Sequence, residues 1–118
     1  MSTDEFTTAY IAAIYFTETG DIDQPAADDE LTSLTKARAW IDCRNFWHAY
    51  GYLARNAGAS ASQAGHDLWL TRNGHGVGFW DRPEVYGQAL SEELTRAAQA
   101  MGSVDPDFIH QSDTLEAA

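Results

Sequence analysis

Phe6, Ala9, Tyr10, Ala13 and Ile14 stand at i, i+3, i+4, i+7 and i+8, the spacing of one helix face. They predict an opening helix capped by Thr3, with Asp4 and Glu5 near the positive end of its dipole and Gly20 as its stop. Ile11, Tyr15 and Phe16 widen the apolar surface, so burial on more than one side is expected. The next stretch, TGDIDQPAADDE, replaces the stripe with turn formers and acids, and Pro25 bars a continuous helix. Residues 18–30 therefore read as an exposed acidic loop.

A second helical period runs from about Leu31 to Ala57. Leu34, Ala37, Trp40, Ile41, Trp47, Tyr50 and Ala54 approximate its apolar face, and Gly51 marks a break or a close helix crossing. Trp40, Trp47, Tyr50 and Tyr52 serve equally well as core or as a dimer face, which leaves the oligomeric state open. Ser60 and Gln63 have the spacing of a capping box and predict one short turn. A last helix is expected from about Glu84 to Met101, with Pro83 near its start and Gly102 past its end.

Between these helices lies HDLWLTRNGHGVGFWDR, residues 66–82. Asn-Gly is a strong hairpin signal, because a type I′ turn needs positive φ at both central residues. A turn at Asn73 and Gly74 pairs Arg72 with His75, Leu70 with Val77, Leu68 with Phe79 and Asp67 with Trp80. One face is then apolar, and the other lays Trp69 over Gly76 and Gly78. The fold class expected is α+β, helices packed on a β-hairpin in the order α-α-β-β-α. Val104, Phe108 and Ile109 offer a third strand, and residues 110–118 a loose tail. At 118 residues and 44% apolar composition, the chain suits a single domain over 1–118 with a real core.

The hairpin register constrains the chemistry. His66 at its open end and His75 beside its turn fall roughly 20 Å apart at the strand rise, too far to share an ion. No zinc spacing, HExxH, paired CxxC or phosphate-binding loop occurs. No metal and no cofactor is expected. At the open end, His66, Asp67, Asp81 and Arg82 suit either of two roles. A His beside a carboxylate can act as a general base, with Arg82 orienting an anionic substrate. The same groups can join the hairpin to its neighbours by hydrogen bonds, with Asp81 capping the last helix, and this structural role is the one expected. His48 and Cys43 read as packing residues.

Charge adds a separate clue. The net charge is −11, divided as −8 over residues 1–30, +3 over 31–83 and −6 over 84–118. Such a chain repels nucleic acid, whose phosphates favour clustered Lys and Arg, and is attracted to basic protein surfaces; equally, the acids of a phage housekeeping protein would serve only solubility, with no mimicry. The candidate partner-binding acids are Glu18, Asp21, Asp23, Asp28, Asp29, Glu30, Glu92 and Glu93. No apolar run approaches membrane-spanning length, the first residues carry no basic leader, and the lone cysteine suits a reducing cytoplasm.

The stretch from Gln63 to Asp81, QAGHDLWLTRNGHGVGFWD, resembles a family of small acidic proteins carried by phages and other bacterial mobile elements. Their motif is of the type AGHDFWLTRNGHGxGFWDR, followed by a helix that LTRAAQAMGS resembles here. Leu68 stands where the motif favours an aromatic residue, and Pro83 stiffens the exit. The resemblance supplies no catalytic role for any residue. It implies a cytoplasmic, non-enzymatic inhibitor of host nucleic-acid-binding defence machinery, of the anti-CRISPR or antirestriction type. Its expected partner is the basic surface of a nucleic-acid-binding effector, with no direct contact to nucleic acid or membrane.

Overall fold

The computed structural model describes residues 2–19, 29–74 and 78–110. In chain order the elements are α1 (Ser2–Thr19), β1 (Asp29–Leu31), α2 (Ser33–Asn56), α3 (Ala61–Arg72), a 3-10 turn (Phe79–Asp81), α4 (Pro83–Tyr86), α5 (Gln88–Ala100) and β2 (Phe108–His110). The chain adopts the expected class, helices with a small two-stranded antiparallel sheet. That sheet pairs Asp29 with His110, Glu30 with Ile109 and Leu31 with Phe108. The segment expected to be a third strand is thus β2, and His110 belongs to it rather than to a tail. Residues 20–28, His75, Gly76, Val77 and 111–118 lie outside the described residues.

The hairpin assigned to residues 66–82 is corrected: its first arm is α3. Ser60 caps this helix by accepting from the Gln63 N–H at 3.0 Å, so the predicted capping box starts a twelve-residue helix instead of one turn. Asp67, Leu68, Trp69, Leu70, Thr71 and Arg72 are all buried. Over those six residues the helix is enclosed on all sides and has no solvent-facing stripe, and a short apolar run such as Leu-Trp-Leu reads equally well as a strand. Gly74 does adopt positive φ (+67°), but as the left-handed residue that stops α3. The Asn73 amide turns back to donate to the Trp69 carbonyl at 3.0 Å. Nor does Trp69 lie over glycines. Its ring packs edge-on against Tyr10, and its N–H donates to Thr17 Oγ1 at 2.8 Å.

Three further expectations shift. α1 already includes Ser2, so Thr3 lies within the first turn rather than before it. α2 begins after Thr32, whose hydroxyl accepts from the Thr35 N–H at 3.1 Å, and it runs unbroken through Gly51. Its buried face is Thr35, Ala39, Cys43, Phe46, Trp47, Gly51 and Ala54, which leaves Leu34, Trp40 and Ile41 exposed. The last helix divides at Gly87 (φ +85°) into α4 and α5.

α3 is the centre of the assembly, and α1 packs on it most closely. The approach depends on Gly65, where a Cβ would fall 2.0 Å from the Phe6 carbonyl oxygen. Ala61, Ala64 and Leu68 continue the same buried face. Across the core, Phe6 stacks on Phe46 at 5.9 Å, Phe46 on Phe79 at 5.7 Å, and Phe79 meets Tyr86 edge-on at 5.3 Å. β1 is held to α1 by the Tyr15 hydroxyl, which accepts from the Leu31 N–H at 3.1 Å. Burial pushes the Cys43 thiol up to about 12, so it packs as a small apolar group. Among the described residues no helix is long and apolar enough to cross a membrane.

Gly65→Ala is expected to destabilise the fold by about 1–3 kcal/mol, the usual cost of overpacking, because backbone rather than a mobile side chain fills the space. Urea denaturation measures this, and an unchanged midpoint would contradict the close crossing of α1 and α3.

Candidate functional site

The polar residues of α3 project in different directions and form two separate networks. Asp67 is fully buried, and its carboxylate is enclosed by donors. Oδ1 accepts from Arg82 Nε at 2.8 Å, and Oδ2 accepts from the Tyr86 hydroxyl at 2.7 Å and from Gln63 Nε2 at 3.1 Å. Burial, reinforced by the negative carboxylate, pushes the Tyr86 phenol far above its ordinary range. The hydrogen bond to Asp67 likewise raises the Arg82 guanidinium. This network joins α3 to the start of α4.

The cluster of His66, Asp67, Asp81 and Arg82 is therefore only partly assembled. Asp67 and Arg82 meet, but His66 hydrogen-bonds neither carboxylate. It is half-exposed and shares a surface depression of about 480 Å3 with Ala9, Ala12, Ser60, Ser62, Gln63 and Arg82. Asp81 and Trp80 are exposed on the 3-10 turn, and Asp81 caps no helix by its side chain. Gly78, expected opposite Trp69, instead lies against α3, where a Cβ would fall 2.1 Å from Thr71 Oγ1. That hydroxyl accepts from the Phe79 N–H at 3.0 Å. A general base needs an orienting partner and a reachable substrate proton; among the described residues His66 has no carboxylate partner. No group of three or more His, Cys, Asp or Glu among the described residues is placed to hold a metal ion.

The second network centres on Arg72, whose side chain is only 5% exposed. Nη1 donates to Asp42 Oδ2 at 2.8 Å and to the Tyr10 hydroxyl at 3.0 Å. Nε donates to the Gly102 carbonyl at 2.8 Å, and Nη2 to the Met101 carbonyl at 3.1 Å. Next to it, Asn73 Oδ1 accepts from the Val104 N–H at 2.8 Å. Two adjacent residues at the end of α3 thus bind α1, α2 and the chain leaving α5. Burial works to lower the Arg72 pKa, but the Tyr10 phenol and the Asp42 carboxylate outweigh it, and the net direction is upward. Tyr10 is itself raised, chiefly by burial.

The segment after α5 crosses above this network, held at one end by Asn73 and at the other by Thr35, whose Oγ1 accepts from the Asp107 N–H at 3.2 Å. A cavity of about 390 Å3 lies beneath it, with Tyr10 and Arg72 in its walls and Arg38, Asp105 and Asp107 of both charge signs around it. The sequence reading missed the Arg72 network altogether. An arginine inside a run of buried residues was one available signal, since such a charge needs partners. A tyrosine on the apolar stripe of α1 was another, because a buried phenol usually finds a hydrogen bond.

The candidate partner-binding acids are scattered in the structure. Glu18 is exposed near the end of α1, and Glu92 and Glu93 are exposed on α5. Glu30 is exposed but receives Lys36 Nζ at 2.6 Å. Asp29 opens β1, while Asp21, Asp23 and Asp28 lie outside the described residues.

Adjacent positions on α3 are expected to behave oppositely. His66→Ala changes stability by less than about 0.5 kcal/mol, whereas Asp67→Ala costs about 3 kcal/mol by stranding Arg82, Tyr86 and Gln63. Arg72→Lys keeps the charge but loses the planar fork, and a loss of about 2 kcal/mol is expected. That lies below the roughly 3–5 kcal/mol for a fully buried pair, because Asp42 is a third exposed. Chemical denaturation of the three variants measures all of this, and a fully stable Arg72→Lys protein would contradict the proposed linkage.

Comparison with family models, curated proteins and solved structures finds no match for this chain.

Proposed function

We propose that this chain is a non-catalytic protein-binding domain that docks through its acidic surface on a basic protein surface of the kind that binds nucleic acid. One observation carries the reading. Three of the basic side chains are consumed internally, in the pairs Lys36–Glu30, Arg72–Asp42 and Arg82–Asp67. Asp4, Glu5, Glu18, Asp81, Glu84, Glu92, Glu93, Asp105 and Asp107 are exposed and form no ion pair with a described residue. Against these nine stand four exposed arginines, Arg38, Arg44, Arg55 and Arg96. Each pair neutralises one acid with one base, so the net charge of −11 rests on the remaining groups, among which acids outnumber bases by far.

The resemblance to mobile-element proteins supplies the context. Host defence nucleases, including CRISPR effectors and restriction enzymes, carry long basic grooves, and an acidic domain seated in one competes with DNA or RNA. Such a contact needs neither cofactor nor catalytic group.

The test is a tagged pull-down from bacterial lysate containing CRISPR and restriction complexes, followed by DNA competition against the purified captured effector. Capture is expected to weaken steeply with salt. It should weaken further on charge reversal at Glu92 and Glu93, or at Asp21, Asp23, Asp28 and Asp29. DNA should displace the domain. Binding indifferent to salt and to both sets of reversals would reject electrostatic docking.

A further inference from the structure

The cavity of about 390 Å3 beneath the chain leaving α5 changes character with depth. At its floor Tyr10, Ile14 and Arg72 are buried, the first two to 1% exposure. At its mouth Arg38, Asp105 and Asp107 are exposed. Ala39 and Val104 add further apolar wall. Apolar walls with a few convergent polar groups are the usual form of a small-molecule pocket, and such pockets start at about 300 Å3.

The floor has donors to spare. A guanidinium offers five N–H groups, and Arg72 spends four of them, on Asp42, Tyr10, Met101 and Gly102. The remaining hydrogen, on Nη2, meets no acceptor among the described residues. The Tyr10 oxygen accepts from Arg72, but its own hydrogen meets no acceptor there either, and burial keeps that hydrogen on the phenol. Donors left unmatched at a buried floor cost about 1–3 kcal/mol each, so an acceptor is favoured there.

Charge decides which acceptor. Arg72 and Asp42 already balance at 2.8 Å. An incoming carboxylate would bury a charge without a counter-ion, whereas a neutral carbonyl oxygen brings none. The mouth is not balanced: Asp105 and Asp107 against Arg38 leave one negative charge, and none of the three forms an ion pair with a described residue. An ammonium suits that end, and the net charge of −11 draws it in.

We propose that this cavity binds a small aliphatic amine with an amide carbonyl at its other end, the chemistry of a mono-acylated diamine. The carbonyl oxygen accepts from the Tyr10 hydroxyl and Arg72 Nη2 at the floor. The methylenes run past Ile14, Ala39 and Val104, and the ammonium lies between Asp105 and Asp107. This ligand site does not depend on the acidic docking surface, and neither reading requires the other.

Isothermal titration calorimetry of the full chain with N-acetylcadaverine tests this. Pentylamine, N-pentylacetamide and ε-aminocaproate serve as comparison ligands, lacking in turn the carbonyl, the ammonium and the neutral inner end. Saturable one-to-one binding of N-acetylcadaverine is expected at millimolar concentration, with each comparison ligand roughly tenfold weaker. Asp105→Asn combined with Asp107→Asn weakens N-acetylcadaverine by roughly tenfold. Both side chains are exposed, so the circular dichroism stays unchanged. Arg38→Gln removes the competing cation and tightens binding severalfold, whereas Arg96→Gln, on α5 outside the cavity, leaves it as it was. Tyr10→Phe keeps the ring edge-on against Trp69 and weakens N-acetylcadaverine but not pentylamine. Absence of saturable binding, or binding that none of these variants alters, overturns the proposal. Binding of ε-aminocaproate or pentylamine as tight as that of N-acetylcadaverine overturns the neutral acceptor at the floor.

Discussion

Burying the charge of Arg72 is the constraint on which the rest of the structure depends. A guanidinium withdrawn from water is tolerated only where acceptors surround it in its own plane. Here they come from three places: the Tyr10 phenol on α1, the Asp42 carboxylate on α2, and two carbonyls at the end of α5. Each of those elements must therefore arrive at a set distance from α3. The carbonyl of Met101, the C-cap of α5, is among those a helix end leaves without a partner, so one side chain satisfies its own donors and the end of α5 together. Apolar packing around Phe6, Phe46 and Phe79 supplies the bulk of the driving force, but it is less directional. The arginine converts an adaptable helix cluster into one arrangement.

How much of this was legible in the sequence differs from residue to residue, for physical reasons. The stripe of α1 was plain because a helix with one buried face repeats every 3.6 residues. The cap at Ser60 and the stop at Gly102 were plain because their signals are local. As a hairpin turn, Asn73-Gly74 asks for positive φ at both residues; Gly74 has it, but Asn73 stands at φ −108°, and the pair ends a helix instead. The end of a helix makes the positive φ of Gly74 just as necessary, and only the burial of every residue from Asp67 to Arg72 decides between them. The register of α2 failed for the converse reason. Its apolar residues are spread around much of the helix, so periodicity alone left the buried face undecided. The partners of Arg72 were beyond reach, since side chains and carbonyls about thirty to sixty positions away leave no local trace, whereas Asp67 and Arg82, fifteen positions apart, already stand in one candidate cluster.

The distribution of charge shows how a small domain separates structural from surface electrostatics. Arg72 and Arg82 are paired inside or at the edge of the core, where low dielectric strengthens their contacts and shields them from salt. The exposed acids act outward, over roughly a Debye length of 8–10 Å. Neighbours in the motif divide along the same line. Asp67, Thr71, Arg72 and Asn73 are committed to holding segments together, whereas Trp80 and Asp81 are exposed and His66 is partly so. A recognisable motif here is chiefly a set of joints.

The Arg72 linkage also orders events in time. When the first 74 residues have been synthesised, α1, α2 and α3 are all available to associate, yet the guanidinium at the end of α3 still lacks its carbonyl partners. Those carbonyls belong to Met101 and Gly102, and the sheet is completed later still, when Phe108–His110 reaches Asp29–Leu31. A nascent chain therefore holds an incomplete core with a half-solvated charge until residues 101–110 are made. Folding of the first three helices into their final arrangement is expected to wait for that segment, as distant contacts generally impose.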